Sequence, residues 1–181
     1  MSQMKAILDN YLAIAESATE EQKIAALAWY PMANTIAEEI TYIMADRAID
    51  IDIEIASSII SAFSPRQLWS RNIAHAVEFA EGQTPKTLGN NVRMAESAMS
   101  NGFNALRGMK TNAFARAIAG DTEAVTIDVW MLKAAGLDRN DTNKSLYNLL
   151  SDAVRWVADE FGWTPRDMQA LIWIVYRGAA Q

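Results

Sequence analysis

The stretch LRGMKTNAF at residues 106–114, followed by AVTIDVW at residues 124–130, decides how the rest of the chain is interpreted. In the first stretch a glycine precedes a lysine at the start of a predicted helix, and in the second an aspartate lies inside an apolar run. Lys110 is a solvated cation, a cation that holds a phosphate without reacting, or, if partly buried at the helix N-terminus, an amine nucleophile. Asp128 is either a helix N-cap or a functional carboxylate, because charged residues seldom lie in apolar runs without a partner.

The composition limits the kinds of site that the chain can build. Its 181 residues are 51% hydrophobic, which suffices for one core or for one domain of two lobes. It has no cysteine, and His75 is its single histidine. We therefore expect no disulfide, iron–sulfur cluster, Ser-His-Asp mechanism or multi-histidine metal site, and we expect no cofactor.

The sequence also lacks the patterns of membrane and exported proteins. No apolar run approaches the ~18 residues that a membrane-spanning helix needs, and the N-terminal residues lead into a polar, periodic helix rather than a signal peptide. We expect no membrane association and a cytoplasmic location.

The charge is unevenly distributed. A net charge of −6 argues against an indiscriminate nucleic-acid binder. Residues 66–116, however, carry seven basic and three acidic side chains. This excess is either a basic face or a set of solvated helix surfaces.

Apolar spacing predicts an all-α chain of about eight to ten helices without a convincing strand pair. Although residues 48–53 alternate, the apolar run at 55–63 favours a helix from about Ile51. Capping residues and prolines mark four helix starts: Thr19 with Gln22, Ser64 with Pro65, Asp141 with Thr142, and Thr164 with Pro165. Pro31 is expected to stop or kink a helix, and Gly120 to end one in a left-handed cap.

The order glycine, lysine-threonine, helix, and aspartate in an apolar run resembles the helix-hairpin-helix DNA glycosylase superfamily, in particular its endonuclease III-like members. Lys110-Thr111 resembles the lysine-threonine after that family's Leu-Pro-Gly-Val-Gly hairpin, and IDVW at 127–130 resembles its Val-Asp-Thr-His-Val stretch. The segment ISAFSPRQ at 60–67 resembles the helix end that meets DNA. Here the hairpin lacks the proline and the second glycine, and Trp130 stands at the family's histidine.

A closer resemblance is to small proteins of actinobacterial and phage genomes, which implies a bacterial or phage-infected cell. The shared residues are Ser64, Pro65, Trp69, Arg71 and Asn72; Gly108, Lys110 and Phe114; residues 125–128; and Gln169, Ala170, Trp173 and Arg177.

The resemblance implies one two-lobed, all-α helix-hairpin-helix glycosylase-like domain over residues 1–181. Its N- and C-terminal helices would form one lobe, and residues 55–135 or so would carry the motifs. DNA is the implied partner, and Asp128 and Lys110 are the implied catalytic residues. The implied DNA contacts are Arg66, Gln67, Arg71, Arg107, Gly108 and Thr111, and the implied walls of the base pocket are Trp69 and Trp130.

Three functions follow as expectations. The first is a DNA glycosylase and abasic-site lyase acting on a flipped modified or damaged base. The second is a phage-type transferase that hypermodifies an activated 5-hydroxymethylpyrimidine in DNA. The third is a non-catalytic helical module that binds DNA or a protein partner. Glu38 and Glu39 either reach the cleft or lie on a solvated helix face.

Overall fold

The structure, a computed structural model, describes residues 3–138 and 142–178, and these residues fold without strands. They form nine α-helices and one short 3₁₀ helix, so the predicted all-α class and helix number are confirmed for this part of the chain. The helices are α1 (Gln3–Glu16), α2 (Glu20–Asp46), α3 (Ile53–Phe63), α4 (Trp69–Ala80), α5 (Gly89–Asn101), the 3₁₀ helix (Gly102–Ala105), α6 (Met109–Ala119), α7 (Val129–Ala134), α8 (Lys144–Phe161) and α9 (Pro165–Arg177). Within the described ranges, none of these helices combines the length and the apolar character needed to cross a membrane.

The helices group into two compact units. Among the described residues, unit 1 contains 3–30, 121–138 and 142–178, and unit 2 contains Pro31–Gly120. In unit 1, α1 packs against α7, α8 and α9, and α9 also packs against α7 and α8. Tyr11 and Leu150 are fully buried in its core. The first and the last described helices, α1 and α9, therefore belong to the same unit.

Unit 2 is built around α3. Every residue from Ala56 to Phe63 is buried, and α3 packs against α4, α5, α6 and the 3₁₀ helix. Its isoleucine, alanine and phenylalanine side chains need neighbours to cover them in water, and its small serines, Ser57, Ser58 and Ser61, are buried with them, so the segment at 55–63 becomes the centre of the unit. Asp52 caps this helix by accepting a hydrogen bond from the backbone N–H of Ile55 at 2.9 Å.

Several predicted helix ends are confirmed. Thr19 and Gln22 form a reciprocal capping box at the start of α2. Thr164 accepts from the backbone N–H of Asp167 ahead of Pro165 at the start of α9. Gly120 ends α6 with a φ of +110°.

Of the two outcomes predicted at Pro31, the stop is wrong, because α2 continues through the proline to Asp46, and the kink stays a prediction. Proline removes one intrahelical donor. Pro31 lies on the exposed side of the helix, where water can satisfy the carbonyl of Leu27 that loses its partner. On the other side Tyr30 and Ala33 are buried, and this burial offsets the lost hydrogen bond.

The predicted helix start at Ser64-Pro65 is also wrong. Ser64 is the C-cap of α3, and α4 begins only at Trp69. The backbone N–H of Gln67 donates to the carbonyl of Ser64 at 3.3 Å, and Arg66 has a φ of +61°. Proline followed by a residue with positive φ is typical of a type II turn, so this segment reverses the chain instead of starting a helix.

The cap of α8 lies further along the chain than predicted. Asn143 accepts from the backbone N–H of Leu146 at 2.9 Å and is the N-cap. Thr142 precedes the cap, and Asp141 lies outside the described residues. Asparagine is as good an N-cap as aspartate, so residue type alone does not decide between Asp141 and Asn143 as the N-cap of α8.

Candidate functional site

Asp128 lies where a buried segment, residues 125–127, meets α7. Its Oδ1 accepts hydrogen bonds from the backbone N–H groups of Trp130 at 2.9 Å and of Met131 at 3.0 Å, which confirms the N-cap interpretation. Its Oδ2 accepts from the indole N–H of Trp173 at 3.0 Å. Both oxygens are thus held in place, at a helix end whose N–H groups stabilise negative charge.

A buried tyrosine holds the backbone on the N-terminal side of Asp128. The Tyr147 hydroxyl donates to the carbonyl of Val125 at 2.8 Å and accepts from the backbone N–H of Ile127 at 3.2 Å. Residues 125–127 belong to no helix or strand, so this side chain satisfies two backbone groups of a buried irregular segment.

Thr126, which lies between Val125 and Ile127, is held by a second tyrosine, Tyr30. The Tyr30 hydroxyl donates to Oε1 of Gln169 at 2.7 Å and lies 3.3 Å from the hydroxyl of Thr126. The guanidinium of Arg166 lies 5.4 Å from the centre of the Tyr30 ring. Side chains from α2 and α9 therefore fix the segment that leads into Asp128.

The other end of α7 is held by α1. The Tyr11 hydroxyl donates to the carbonyl of Met131 at 2.9 Å, and the side-chain amide of Asn10 donates to the carbonyl of Ala135 at 3.0 Å. The carbonyl of Met131 also accepts from the backbone N–H of Ala135 at 3.0 Å, and Ala135 is the C-cap of α7. The two side chains therefore tie the end of α7 to α1, so the short helix that Asp128 caps is held at both ends.

Aromatic and cationic side chains form a row beside Asp128, which we call the aromatic row: Trp29, Trp173, Arg177, Trp130 and Lys133. The ring centres of Trp29 and Trp173 are 6.4 Å apart. The Arg177 guanidinium lies 4.7 Å from the Trp173 ring centre and 5.5 Å from that of Trp130. The Lys133 ammonium lies 4.9 Å from the Trp130 ring centre. None of the five side chains is fully buried.

The buried tyrosines around Asp128 are shifted in acidity. Burial, with a smaller effect of the Asp128 carboxylate, raises the pKa of Tyr11 and Tyr30 above the usual range for tyrosine. Burial raises the pKa of Tyr147 to about 12. A phenolate at any of these places would lose its solvation and would lie close to a carboxylate.

We therefore expect stability to fall at alkaline pH. The three buried tyrosines keep their protons above pH 10, where the same residues in the unfolded chain lose them. The stability that these tyrosines provide is therefore complete below about pH 10 and is lost as the pH rises through 12. Each such tyrosine adds a slope of about 1.4 kcal/mol per pH unit in that window. Tyr147→Phe should reduce the slope of unfolding free energy against pH by the contribution of one tyrosine. Urea unfolding at several pH values measures this slope.

The matched control is Tyr42→Phe, which removes a hydroxyl from a side chain that is 70% exposed. That variant should keep the wild-type slope. A Tyr147→Phe protein whose stability falls with pH as steeply as the wild type would contradict the role assigned to the buried hydroxyl.

Lys110 lies in unit 2, at the second position of α6, and is half-buried. Gly108 is the N-cap and has an ordinary φ of −76°. Thr111 is buried: its hydroxyl donates to the carbonyl of Gly108 at 3.0 Å, and its own carbonyl accepts from the Ser61 hydroxyl of α3 at 2.7 Å. The helix start that presents Lys110 is thus anchored to the central helix of the unit.

Asn112 closes the turn ahead of α6. Its side-chain amide donates to the carbonyls of Phe103 at 2.9 Å and Leu106 at 3.3 Å. Its Oδ1 accepts from Arg116, whose guanidinium lies 4.5 Å from the centre of the Phe103 ring. The side chain of Asn112 therefore holds together a turn that lacks the proline and the second glycine of the glycosylase hairpin. Arg107 is exposed on this turn.

The other predicted DNA contacts also lie in unit 2. Arg66 is exposed in the turn after α3, and Arg71 is exposed on α4. The side-chain amide of Gln67 donates to the hydroxyl of Thr87 at 3.1 Å. Whether these side chains touch DNA stays a prediction.

The two predicted base-pocket residues have different surroundings. Trp69 is half-buried at the start of α4, with its ring centre 6.1 Å from that of Phe114 in an edge-to-face arrangement. Trp130 has Lys133 and Arg177 beside its ring. Trp69 therefore has an aromatic neighbour, as a core side chain would, whereas Trp130 has two charged neighbours, as a surface side chain would.

The structure brings Asp128 and Trp130 together in unit 1, and it assigns Lys110 and the predicted DNA contacts to unit 2. The pairing of Lys110 with Asp128 stays a prediction. Glu38 and Glu39 lie exposed on α2.

Sequence reasoning did not place the partners of the Asp128 segment. Gln169, Trp173 and Arg177 follow one another at intervals of four, which puts them on one face of α9. All three face this segment or the aromatic row. Their spacing, in a helix whose other residues are largely apolar, was the available signal.

Comparisons with known proteins give a family but no activity. No curated protein and no solved structure matches the chain. The model of one family, described as a family of unknown function (DUF7178), matches residues 1–180. Because that match covers nearly the whole sequence, the chain is a member of the DUF7178 family.

Proposed function

We propose that this protein is a DNA glycosylase with abasic-site lyase activity, acting on a modified or damaged base flipped out of DNA. One observation carries the proposal: the carboxylate of Asp128 is held by three N–H groups at the position that matches the aspartate of the glycosylase motif. Support comes also from Lys110, which follows a turn at the start of α6 as the motif requires.

Asp128 would act on the sugar. When the bond between base and sugar breaks, positive charge develops on the sugar, and a nearby carboxylate stabilises it. Donors that already hold the carboxylate spare the reorganisation that solvent would require. Asp128 would also accept the proton that the attacking amine loses.

Lys110 would supply the nucleophile. Its neutral Nζ forms a bond to C1′ of the sugar as the bond from C1′ to the base breaks, and the departing base takes the bonding electrons and then a proton. Ring opening converts the adduct to a Schiff base between Nζ and C1′. Loss of a proton from C2′ then expels the 3′ phosphate and cleaves the strand.

The remaining roles follow the resemblance. Arg66, Arg71 and Arg107 would contact phosphates, and Gln67 would approach the space that the flipped base leaves. Flipping costs a few kcal/mol of unstacking, which such contacts offset. Since Thr111 is buried and bonded to Gly108, it would contribute by holding the start of α6.

Borohydride trapping on abasic-site DNA tests the lyase step. A Schiff base is reduced to a stable amine, so the wild-type protein should form a covalent adduct with the DNA that is visible on a denaturing gel. Lys110→Ala should form none. Lys86→Ala, which removes an exposed lysine of unit 2, should form the wild-type amount.

An adduct that persists in Lys110→Ala would contradict the assignment of the nucleophile. Absence of any adduct on varied substrates would remove the lyase step and leave a monofunctional glycosylase. A gain of mass on a modified pyrimidine nucleoside, without base loss, would identify the transferase reaction, in which Asp128 deprotonates an incoming amine.

A non-catalytic helical module that binds DNA or a protein is the second candidate. The observation in its favour is that all three hydrogen bonds of Asp128 also serve the fold: two cap α7 and one joins α7 to α9. If DNA binding is the whole function, a double variant with Lys110→Ala and Asp128→Asn should bind DNA like the wild type, and neither protein should release a base.

A further inference from the structure

We propose that the aromatic row of unit 1 binds a single-stranded stretch of nucleic acid, with bases against the indole rings and phosphates at Arg177 and Lys133. The inference deepens the proposed function and rests on it where it places a nucleotide beside Asp128. The binding itself depends only on the row.

The aromatic side chains of the row differ from those of the core in being partly exposed to solvent. Tyr11, Tyr30 and Tyr147 are buried, and each hydroxyl has a hydrogen-bond partner. The indoles of the row stay partly exposed, although large aromatic side chains gain most from full burial. Arg177 and Lys133 lie over the rings of Trp130 and Trp173. Nucleobases of any sequence can stack on such rings when the cations turn to the phosphates of the same strand.

The cations of the row come from two different helices. Lys133 lies in the last turn of α7 and Arg177 in the last turn of α9, where positive charge stabilises a helix end. Helix-end stabilisation accounts for each cation alone. It does not account for the approach of both to the ring of Trp130, within 5.5 Å of its centre. Cations interleaved with aromatic rings are typical of surfaces that bind single strands.

The row is linked directly to the carboxylate. The Trp173 indole donates its N–H to Asp128, and the ring of the same indole lies against Arg177. A nucleotide whose phosphate is held by Arg177 would therefore lie next to the side chain that holds Asp128. The three N–H donors of Asp128 offset part of its negative charge, which reduces its repulsion of a phosphate.

Fluorescence anisotropy of a labelled oligothymidylate tests the row. Wild-type protein should bind it, and affinity should fall with rising salt. For single strands the slope of log affinity against log salt is about −0.7 for each phosphate neutralised. Arg177→Met and Lys133→Met should each make the slope shallower by about 0.7, and the double variant by about twice that.

Two further variants complete the experiment. Trp130→Leu should weaken binding by about tenfold to a hundredfold through lost stacking, and Trp130→Phe should restore most of it. Lys144→Met removes an exposed lysine of unit 1 outside the row and should bind with the wild-type slope. No binding at low salt would overturn the proposal, as would wild-type slopes in both Arg177→Met and Lys133→Met.

The outcomes separate this inference from the proposed function. If oligothymidylate binding depends on Arg177 but the protein releases no base from any DNA, the aromatic row binds single strands and the glycosylase proposal is wrong. If the protein releases a base but the row variants keep the wild-type salt dependence of binding, the glycosylase proposal stands and the binding role of the aromatic row is wrong.

Discussion

Asp128→Asn should slow base release by about two to four orders of magnitude, the usual contribution of a positioned acid or base. Asparagine keeps the size of the side chain and can cap α7, but it carries no charge to stabilise the sugar. If its oxygen caps the helix, its amide faces the indole N–H of Trp173, and two donors meet. The lost bond to a charged acceptor should lower the free energy of unfolding by about 1.5–3 kcal/mol. Single-turnover base release and urea unfolding measure the two effects.

Trp173→Phe is the matched control for this prediction. It removes the same indole hydrogen bond and leaves the carboxylate and both cap bonds in place. Its stability should fall about as much as that of Asp128→Asn, while base release should slow by no more than about tenfold, as for one lost positioning contact. Equal losses of activity in the two variants would show that Asp128 acts through the fold rather than in the reaction.

Gly102→Ala should be the most destabilising single substitution at a glycine of unit 2. Gly102 has a φ of +50° and a ψ of −131°, a conformation that favours glycine. A Cβ built there would clash with Oε1 of Glu54, and that oxygen accepts a hydrogen bond from the backbone N–H of Phe103 at 3.1 Å. Backbone strain of about 1–2 kcal/mol adds to a lost hydrogen bond of similar size, so we expect a loss of about 2–4 kcal/mol in chemical unfolding.

Two comparisons isolate the cause. Gly89→Ala places a Cβ at the first residue of α5 with no atom within 4 Å, and it should leave stability within about 0.5 kcal/mol of the wild type. In a Glu54→Ala background, Gly102→Ala should cost only the strain of the backbone. A cost equal to that in the wild-type background would contradict the contact with Glu54.

The parts of the fold that sequence predicts are those decided within a few residues. The capping box of Thr19 with Gln22 and the caps at Thr164 and Asp128 depend on side chains that reach their own backbone two or three positions on. Ser64-Pro65 shows the limit of such local rules. The same pair fits a helix start and a type II turn, and the positive φ of Arg66 decides for the turn.

The surroundings of Asp128 depend on contacts far apart in sequence. Trp173 lies 45 positions from Asp128, and Tyr147 lies 20 positions from Ile127. Which side chains meet there depends on how α8 and α9 pack on the segment, and periodicity gives only the face of each helix. The predicted aspartate could therefore be found from its motif, while the indole and tyrosine that hold it could not.

Nucleoside mass spectrometry on DNA with modified pyrimidines, incubated with wild-type protein and with Asp128→Asn, shows whether the protein releases a base and whether Asp128 is needed for it. Wild-type protein should release a free base and leave abasic sites, and Asp128→Asn should release less by a factor of about a hundred or more. Intact nucleosides in every DNA treated with wild-type protein, or equal base release by both proteins, would contradict the proposed function.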